Sequence, residues 1–379
     1  MRIIIAPDKF KSSMSAGEAA DQIKAGTTEI FPEAELFIFP LSDGGEGLVE
    51  SLAGETGDNL MVNTVTGPLG TPVEAKWGVI DHGRTAVIEM AAASGLYLVP
   101  EEKRNPLFTT TYGTGELIKA ALDQGCSKLI IGIGGSATND GGAGMAQALG
   151  ADFYNRSGKL LGPGGAELAG LEKIEIKGLD PRLPEVETLV ACDVNNPLTG
   201  PEGASHIYGP QKGASPEMIE QLDQALNNYA RIIKKDLGLK VSDIPGAGAA
   251  GGLGAGLIAF LGAKLRSGIE LVLDALKIEQ HLPGADLLIT AEGKLDAQSA
   301  HGKAPVGVAR LAQKYRVPVI ALAGTLEGNL EIFHREGLTA CFAIADGPLS
   351  LEESISKGPK LLEIKTAELL RLWKTGQRF

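Results

Sequence analysis

Cysteine is scarce: Cys126, Cys192 and Cys341 are the only three in 379 residues, and they lie far apart. An odd, scattered set builds neither a disulfide framework nor a CxxC zinc site, so core packing is their expected role. Aromatic residues make up 5% of the chain, and 35 Lys and Arg are outweighed by 47 Asp and Glu. The net charge of −12, with no long basic cluster, argues against a nucleic-acid binder. The histidines (His82, His206, His281, His301, His334) show no metal-ligand spacing. HExxH, GxSxG and the P-loop GxxxxGKS/T are all absent, which disfavours a zincin, a Ser–His hydrolase and an ordinary P-loop NTPase.

Long apolar runs are missing too. The longest candidate, Gly246 to Ala263, is a Gly/Ala stretch shorter and less apolar than a spanning helix needs. The opening MRIIIAPDKF has one basic residue before an apolar run too short for a signal-peptide core. A soluble, cytoplasmic protein is the expectation.

Glycine is what the chain has in excess. Its 51 residues are about double the usual share of roughly 7%. They cluster between apolar runs without a collagen-like period, which predicts many turns and close backbone–ligand approaches. The length favours two domains.

The first sixty residues read as strand Arg2–Ala6, a helix after Ser15, strand Leu36–Pro40, and a second helix beginning at Gly47–Leu52. Ser15 and Glu18 form a capping box, and Ala16, Ala19, Ala20, Ile23 and Ile30 make the apolar face, interrupted at Thr27. The last hundred residues repeat the alternation: strands Asp286–Thr290, Val317–Ala323 and Thr339–Ala345, with helices Ala304–Tyr315 and Leu351–Trp373. Five short strands separated by helices suit one flavodoxin-like parallel sheet built from both chain ends. The middle mixes hairpin-like strands (Met61–Thr66, Val73–Ile80, Thr85–Met90) with helix Thr114–Gln124 and strands Lys128–Ile133 and Thr188–Cys192. The expected architecture is α/β: a discontinuous flavodoxin-like domain, 1–60 and 265–379, with an inserted mixed α/β domain, 61–264.

Several polar loops follow strands, where a parallel sheet opens its ligand crevice. After the first strand come Asp8, Lys9, Lys11 and Ser13; Asp takes a hydroxyl proton or holds Mg²⁺, and Lys neutralises anionic oxygens. After the second come Asp43, Gly44, Gly45 and Glu46, acids flanking glycines that admit a close ligand. The run Gly132–Gly142 leaves an apolar strand and enters a helix-compatible stretch. Gly134 and Gly135 offer backbone N–H groups there, and Ser136, Thr138, Asn139 and Asp140 offer side chains, as an anion cradle. Asp193 and Asn195 mark a further strand end, and Glu292, Lys294, Asp296 and Gln298 fall at every second position after another. A literal GxGxxG at Gly246–Gly251 is preceded by Pro245 rather than a strand, so a tight helix entry is expected there instead of a dinucleotide site.

Together, APDKFKSSMSA, SDGGEG, GIGGSATNDGGAGM, CDVNNPLTGPEGA, YGPQKGA, PGAGAAGGLGAG and EGKLDAQS resemble, in order and over nearly the whole chain, the bacterial glycerate kinase family. The resemblance implies a flavodoxin-like domain plus an inserted domain described as restriction-enzyme-like, and transfer of the ATP γ-phosphoryl group to glycerate. It implies ATP and Mg²⁺ as cofactors, 2-phosphoglycerate or 3-phosphoglycerate as product, and small-molecule partners with neither nucleic acid nor membrane; a homodimer stays open. Catalytic work would fall to Asp8, Lys9, Lys11, Asp193 and Lys294, and Mg²⁺ contacts to Asp43, Asp193 and Asp296. Lys294 stands where an Arg is expected and Ser299 where a Thr is expected; Lys lacks the bidentate fork of a carboxylate clamp. The competing readings are an NAD-dependent dehydrogenase of a small hydroxy acid and a non-catalytic small-acid binding protein.

Overall fold

The computed structural model describes residues 1–54, 59–297, 299 and 303–376. They divide into two compact units, Met1–Asp43 with Ile269–Phe379, and Gly44–Gly268.

The first unit holds a five-stranded parallel sheet in the order Glu35–Ile38, Arg2–Ile5, Leu287–Leu295, Val319–Leu326, Ala340–Ala343. Counted along this unit the order is 2-1-3-4-5, the flavodoxin-like arrangement, with its switch point between Arg2–Ile5 and Leu287–Leu295. Ile3, Ile4 and Ile5 are fully buried, as the inner strand of a doubly covered sheet requires. The helix Ala16–Ile30 begins on the expected capping box, Ser15 with Glu18. Thr27 does not break its apolar face: the residue is buried and its hydroxyl donates to the Ile23 carbonyl one turn back. This helix packs on the terminal helix Leu351–Gly376 so closely that a Cβ on Gly26 would stand 2.4 Å from the Glu363 carbonyl oxygen.

One strand runs further than its apolar core suggests. Leu287–Leu295 continues past Thr290 because Glu292 and Lys294 pair in register with Ala323 and Thr325 of Val319–Leu326. Both side chains therefore sit on a strand, on one face, rather than in a loop.

The second unit is built on a six-stranded mixed sheet: Lys264–Arg266, Glu187–Ala191, Lys128–Gly132 and Thr85–Glu89 run parallel, and Pro72–Ile80 and Leu60–Thr66 follow antiparallel. The helix Pro216–Leu237, capped by Ser215, buries Leu222, Ala225, Leu226, Tyr229, Ile232 and Ile233 in its core.

The first division falls at 43/44 rather than near 60, for a packing reason. Helix Leu48–Ala53 buries Leu48, Val49 and Ala53, and a Cβ on Gly78 of the second sheet would meet Ala53 Cβ at 2.5 Å. Glu89, at a strand end of that sheet, accepts the backbone N–H groups of Gly47 and Val49 at 3.1 and 2.9 Å. This helix thus belongs to the second unit. The second division falls at 268/269.

Candidate active site

In the first unit, the carboxyl ends of Arg2–Ile5 and Leu287–Leu295 flank the switch point. The two ends are tied by Asp8 N–H to the Ala291 carbonyl at 2.8 Å and by the Thr290 hydroxyl to the Ala6 carbonyl at 2.7 Å. This fixes the start of the loop, and with it Asp8. Asp8 is 7% exposed, and one carboxylate oxygen accepts the Lys9 N–H at 2.7 Å. Burial, together with the nearby charges of Asp43 and Glu292, pushes its carboxyl up to about 7, against the pull of the Lys9 backbone and ammonium.

Glu292 is also buried, and its carboxyl is raised by the same loss of water; Lys303 opposes that shift with a 3.1 Å ion pair to Oε1. Three carboxylates and two lysines, Asp8, Asp43, Glu292, Lys9 and Lys303, therefore form one electrostatic group. Lys303, just beyond the run Glu292 to Gln298, is the member to which the sequence assigns no role, because a lone Lys before a helix has no distinctive pattern.

Other expected residues of this unit are engaged differently. The Ser13 hydroxyl donates to the Ile355 carbonyl at 2.7 Å, tying the loop to the terminal helix. Lys11 is exposed. Lys294 is half exposed and pairs with Glu327 at 2.6 Å and Asp296 at 3.4 Å. Asp296 accepts the Ser299 N–H at 3.2 Å, and the Ser299 hydroxyl donates to the Lys294 carbonyl, closing a tight turn. Gln298 lies outside the described residues.

In the second unit, the loop after Lys128–Gly132 is held from several sides. Gly134 and Gly135 are its exposed residues; Ser136 through Asp140 are buried. Among the described residues, the N–H groups of Gly134, Gly135 and Ser136 have no acceptor. Gly135 lies in the left-handed region at φ 73°. Successive free N–H groups at a strand end, one of them left-handed, make an anion nest.

The buried part of the loop supports this nest. Asp140 accepts the Thr111 N–H and hydroxyl at 2.8 Å each, and also Gly142 N–H and Gly144 N–H. Burial raises its carboxyl, while those four donors pull the other way. Lys212 is 1% exposed and donates to the Thr138 carbonyl at 2.7 Å. Its ammonium is brought down to about 7 by loss of water, with the Asp140 charge opposing. Asn139 donates to the Ser205 hydroxyl. Thr138 Oγ1, Asn139 Oδ1 and the Tyr229 hydroxyl are buried without hydrogen-bond partners.

The remaining expected loops gather on the same sheet edge. A Cβ on Gly132 would stand 2.6 Å from the Gly44 carbonyl oxygen, and one on Gly134 would stand 3.3 Å from Gly45 Cα. The glycine pair before Glu46, which is exposed, thus packs directly on the nest-bearing loop. Asp193 and Asn195 are exposed, and Asp193 Oδ1 accepts the Gly268 N–H at 3.0 Å. The GxGxxG stretch enters helix Ala249–Leu261 through three left-handed residues, Ala250, Gly251 and Gly252. Gly251 offers its carbonyl to Gly141 N–H at 3.0 Å, so the motif buttresses the loop and follows no strand. Among the described residues, no group of three or more His, Cys, Asp or Glu has the spacing of a metal site, and no helix is long and apolar enough to cross a membrane.

Comparison with known proteins bears on both units at once. The profile of the glycerate kinase family matches residues 3–374. The chain is 54% identical over 354 residues to glycerate 2-kinase of Escherichia coli K12, covering 93% of each sequence. It is 53% identical to glycerate kinase of Bacillus subtilis 168, covering 96% of this chain and 95% of the relative. A crystal structure described as glycerate kinase 2 from Salmonella typhimurium LT2 superposes with a TM-score of 0.92 at 50% identity, covering 100% of both chains. The chain therefore belongs to the glycerate kinase family, as a phosphotransferase that uses ATP and an alcohol acceptor.

Proposed function

We propose that the protein phosphorylates D-glycerate on its 2-hydroxyl, giving 2-phosphoglycerate, with Asp8 as the general base. The observation carrying this reading is Asp8 itself: a buried carboxyl at a switch point, raised to about 7 by burial and neighbouring acids. A base is most effective when its pKa lies near the working pH. Asp8 would take the proton of the acceptor hydroxyl as its oxygen attacks the γ-phosphorus; the bond from that phosphorus to the bridging oxygen breaks, and ADP leaves. The choice of the 2-hydroxyl follows the name of the Escherichia coli relative, and the 3-hydroxyl is the alternative outcome.

The other parts are assigned by their chemistry. The free N–H groups of Gly134, Gly135 and Ser136 would hold anionic oxygens of phosphate or substrate. Buried Thr138, Asn139 and Asp140 would hold that loop in shape. Lys9 and Lys11 would neutralise phosphate charge.

The donor set suits Mg²⁺ in the mode where one or two carboxylates share the ion with nucleotide phosphates. Asp43, whose charge already acts on Asp8 and Glu292, would be its principal protein ligand. Asp193 and Asp296 already accept backbone N–H groups and would be secondary contacts. When bound, Mg²⁺ supplies charge neutralisation on the transferred phosphoryl group. As a kinase that draws on ATP, the protein would work in the cytoplasm.

The test is incubation with ATP, Mg²⁺ and D-glycerate, followed by ³¹P NMR of the product. A 2-phosphoglycerate resonance is expected. A 3-phosphoglycerate resonance would reassign the hydroxyl, and saturable glycerate binding without ADP formation would replace the kinase reading with a binding protein.

A further inference from the structure

We propose that Arg104 recognises the carboxylate of the acceptor, presenting its guanidinium as a two-pronged donor beside the glycine loop; the proposal rests on the glycerate reading above. Sequence motifs gave Arg104 no part, since it lies in an undistinguished stretch between Pro100 and Thr111.

The segment that carries Arg104 is pinned to the loop at both ends. Leu96 N–H donates to the Gly135 carbonyl at 2.8 Å, and Ala137 N–H donates to the Ser94 carbonyl at 3.0 Å. Further along, the Thr109 hydroxyl donates to the Ala137 carbonyl, and Thr111 gives two hydrogen bonds to Asp140. Arg104 is held from a third direction by Gly213, where a Cβ would lie 2.5 Å from the Arg104 carbonyl oxygen and 2.8 Å from its Cβ. The residue before Gly213 is Lys212, whose ammonium reaches the Thr138 carbonyl of the same loop. Arg104 thus stands on a framework with several ties to residues 135–140.

Its side chain is uncompensated. Arg104 is half-buried, its Nε is buried without a hydrogen-bond partner, and it forms no ion pair among the described residues. A partly desolvated guanidinium with no acceptor is unfavourable unless something else supplies one, and the chain's net charge of −12 leaves many acids that fail to do so.

Lys212, the buried cation that reaches this loop, is already bonded to the Thr138 carbonyl. Lys294, which stands where an Arg is expected, is paired with Glu327 and Asp296 and lacks a fork. One unpaired guanidinium matches one carboxylate in both charge and geometry. A triphosphate carries several charges and calls on lysines and Mg²⁺ as well.

The experiment measures steady-state kinetics of Arg104→Met and Arg104→Lys against wild type, with both substrates varied. Arg104→Met is expected to raise KM for D-glycerate roughly 10- to 100-fold, as loss of a charged bidentate contact does, with KM for ATP unchanged. Arg104→Lys keeps the charge, loses the fork, and should fall between. Thermal stabilisation by D-glycerate should weaken in parallel, while stabilisation by ATP persists and reports an intact fold. Glycerate KM within about threefold of wild type in both variants overturns the proposal. So does an ATP KM that rises as much as the glycerate KM, which would place Arg104 on phosphate. If Arg104→Met does not fold, Arg104→Lys decides by the same two constants. A wild-type enzyme that phosphorylates no glycerate would sink the underlying reading instead, and that is seen before any variant is made.

Discussion

A Cβ built on Gly251 would stand 1.9 Å from the carbonyl oxygen of Thr138, so the helix entry and the nest-bearing loop meet backbone against backbone. The same glycine is left-handed at φ 68°. Gly251→Ala therefore faces strain from its backbone angle and a clash that only a backbone shift relieves. We expect a loss of about 2–4 kcal/mol in urea unfolding, with reduced kcat. Gly238→Ala is the control: φ is 75° with nothing within 4 Å of the added Cβ, so only the conformational cost of about 1 kcal/mol should appear. Equal losses at both positions would show that the close approach to Thr138 is not what the glycine serves.

Asp8→Asn removes the proposed base with little change in shape. It should lower kcat by roughly 10²–10⁴ while leaving ATP affinity near wild type. In the wild type, the base works only when ionised. Activity should rise with pH and level off above about 7, the value to which burial and Asp43 push this carboxyl. A near-normal kcat in the variant, or a flat profile from pH 5 to 8, would remove Asp8 from the role.

The same burial makes Asp8 a destabilising residue at neutral pH. The unfolded carboxyl loses its proton near 3.8 and the folded one near 7. Between those values the folded protein holds a proton that the unfolded chain has released, so stability falls as pH rises across the window. The penalty is complete above about pH 7 and is at most about 4 kcal/mol. Asp8→Asn should therefore raise Tm more at pH 8 than at pH 4.5, though the enzyme is impaired. A Tm gain that does not depend on pH would contradict this origin.

Much of the framework is legible in the sequence because its signals are local. Ser15 with Glu18 announces the helix they cap, and apolar β-branched runs announce the inner strands of the parallel sheet. The helix Pro216–Leu237 carries readable signals, Ser215 as cap, Pro216 at its start and a helical spacing of buried residues. Its many polar positions mask that pattern, and the sequence reading assigns no helix there. The turn Ser42–Gly47 looks like part of the first domain by chain proximity. Only the long-range acceptance of Gly47 N–H and Val49 N–H by Glu89 assigns the following helix to the second. The exposed glycines of the nest are apparent from composition, whereas Lys212 and Arg104 are not. What marks those two is burial and the presence or lack of a partner, and neither has a sequence period.

Asp140 tests how much the supporting shell of the nest contributes. Its carboxylate satisfies the Thr111, Gly142 and Gly144 N–H groups and the Thr111 hydroxyl in a fully buried position. Asp140→Ala leaves these donors without an acceptor, and each unsatisfied buried group costs about 1–3 kcal/mol. Equilibrium unfolding should show a loss of about 3 kcal/mol or more. A smaller loss would mean that water reaches the cavity and takes over the acceptor role.

Lys212→Met separates the charge of the buried ammonium from its hydrogen bond to Thr138. In the folded protein burial lowers the ammonium to about 7, against 10.5 for an unperturbed lysine. Below 7 both folded and unfolded states are protonated and the full cost of burying the charge is present. Between 7 and 10.5 the unfolded chain binds the proton and the folded protein does not, so wild-type stability from this group rises with pH. Methionine has no proton to lose and does not follow. At pH 6.5 the variant should lie near wild type, because the lost bond to the Thr138 carbonyl is offset by removal of a buried charge. At pH 9.5 the neutral amine keeps that bond without the charge, and wild type should gain about 3 kcal/mol over the variant relative to pH 6.5. Urea unfolding at the two pH values measures the difference. A gap that does not change with pH would mean that Lys212 keeps its charge throughout, held by Asp140 more strongly than burial opposes it.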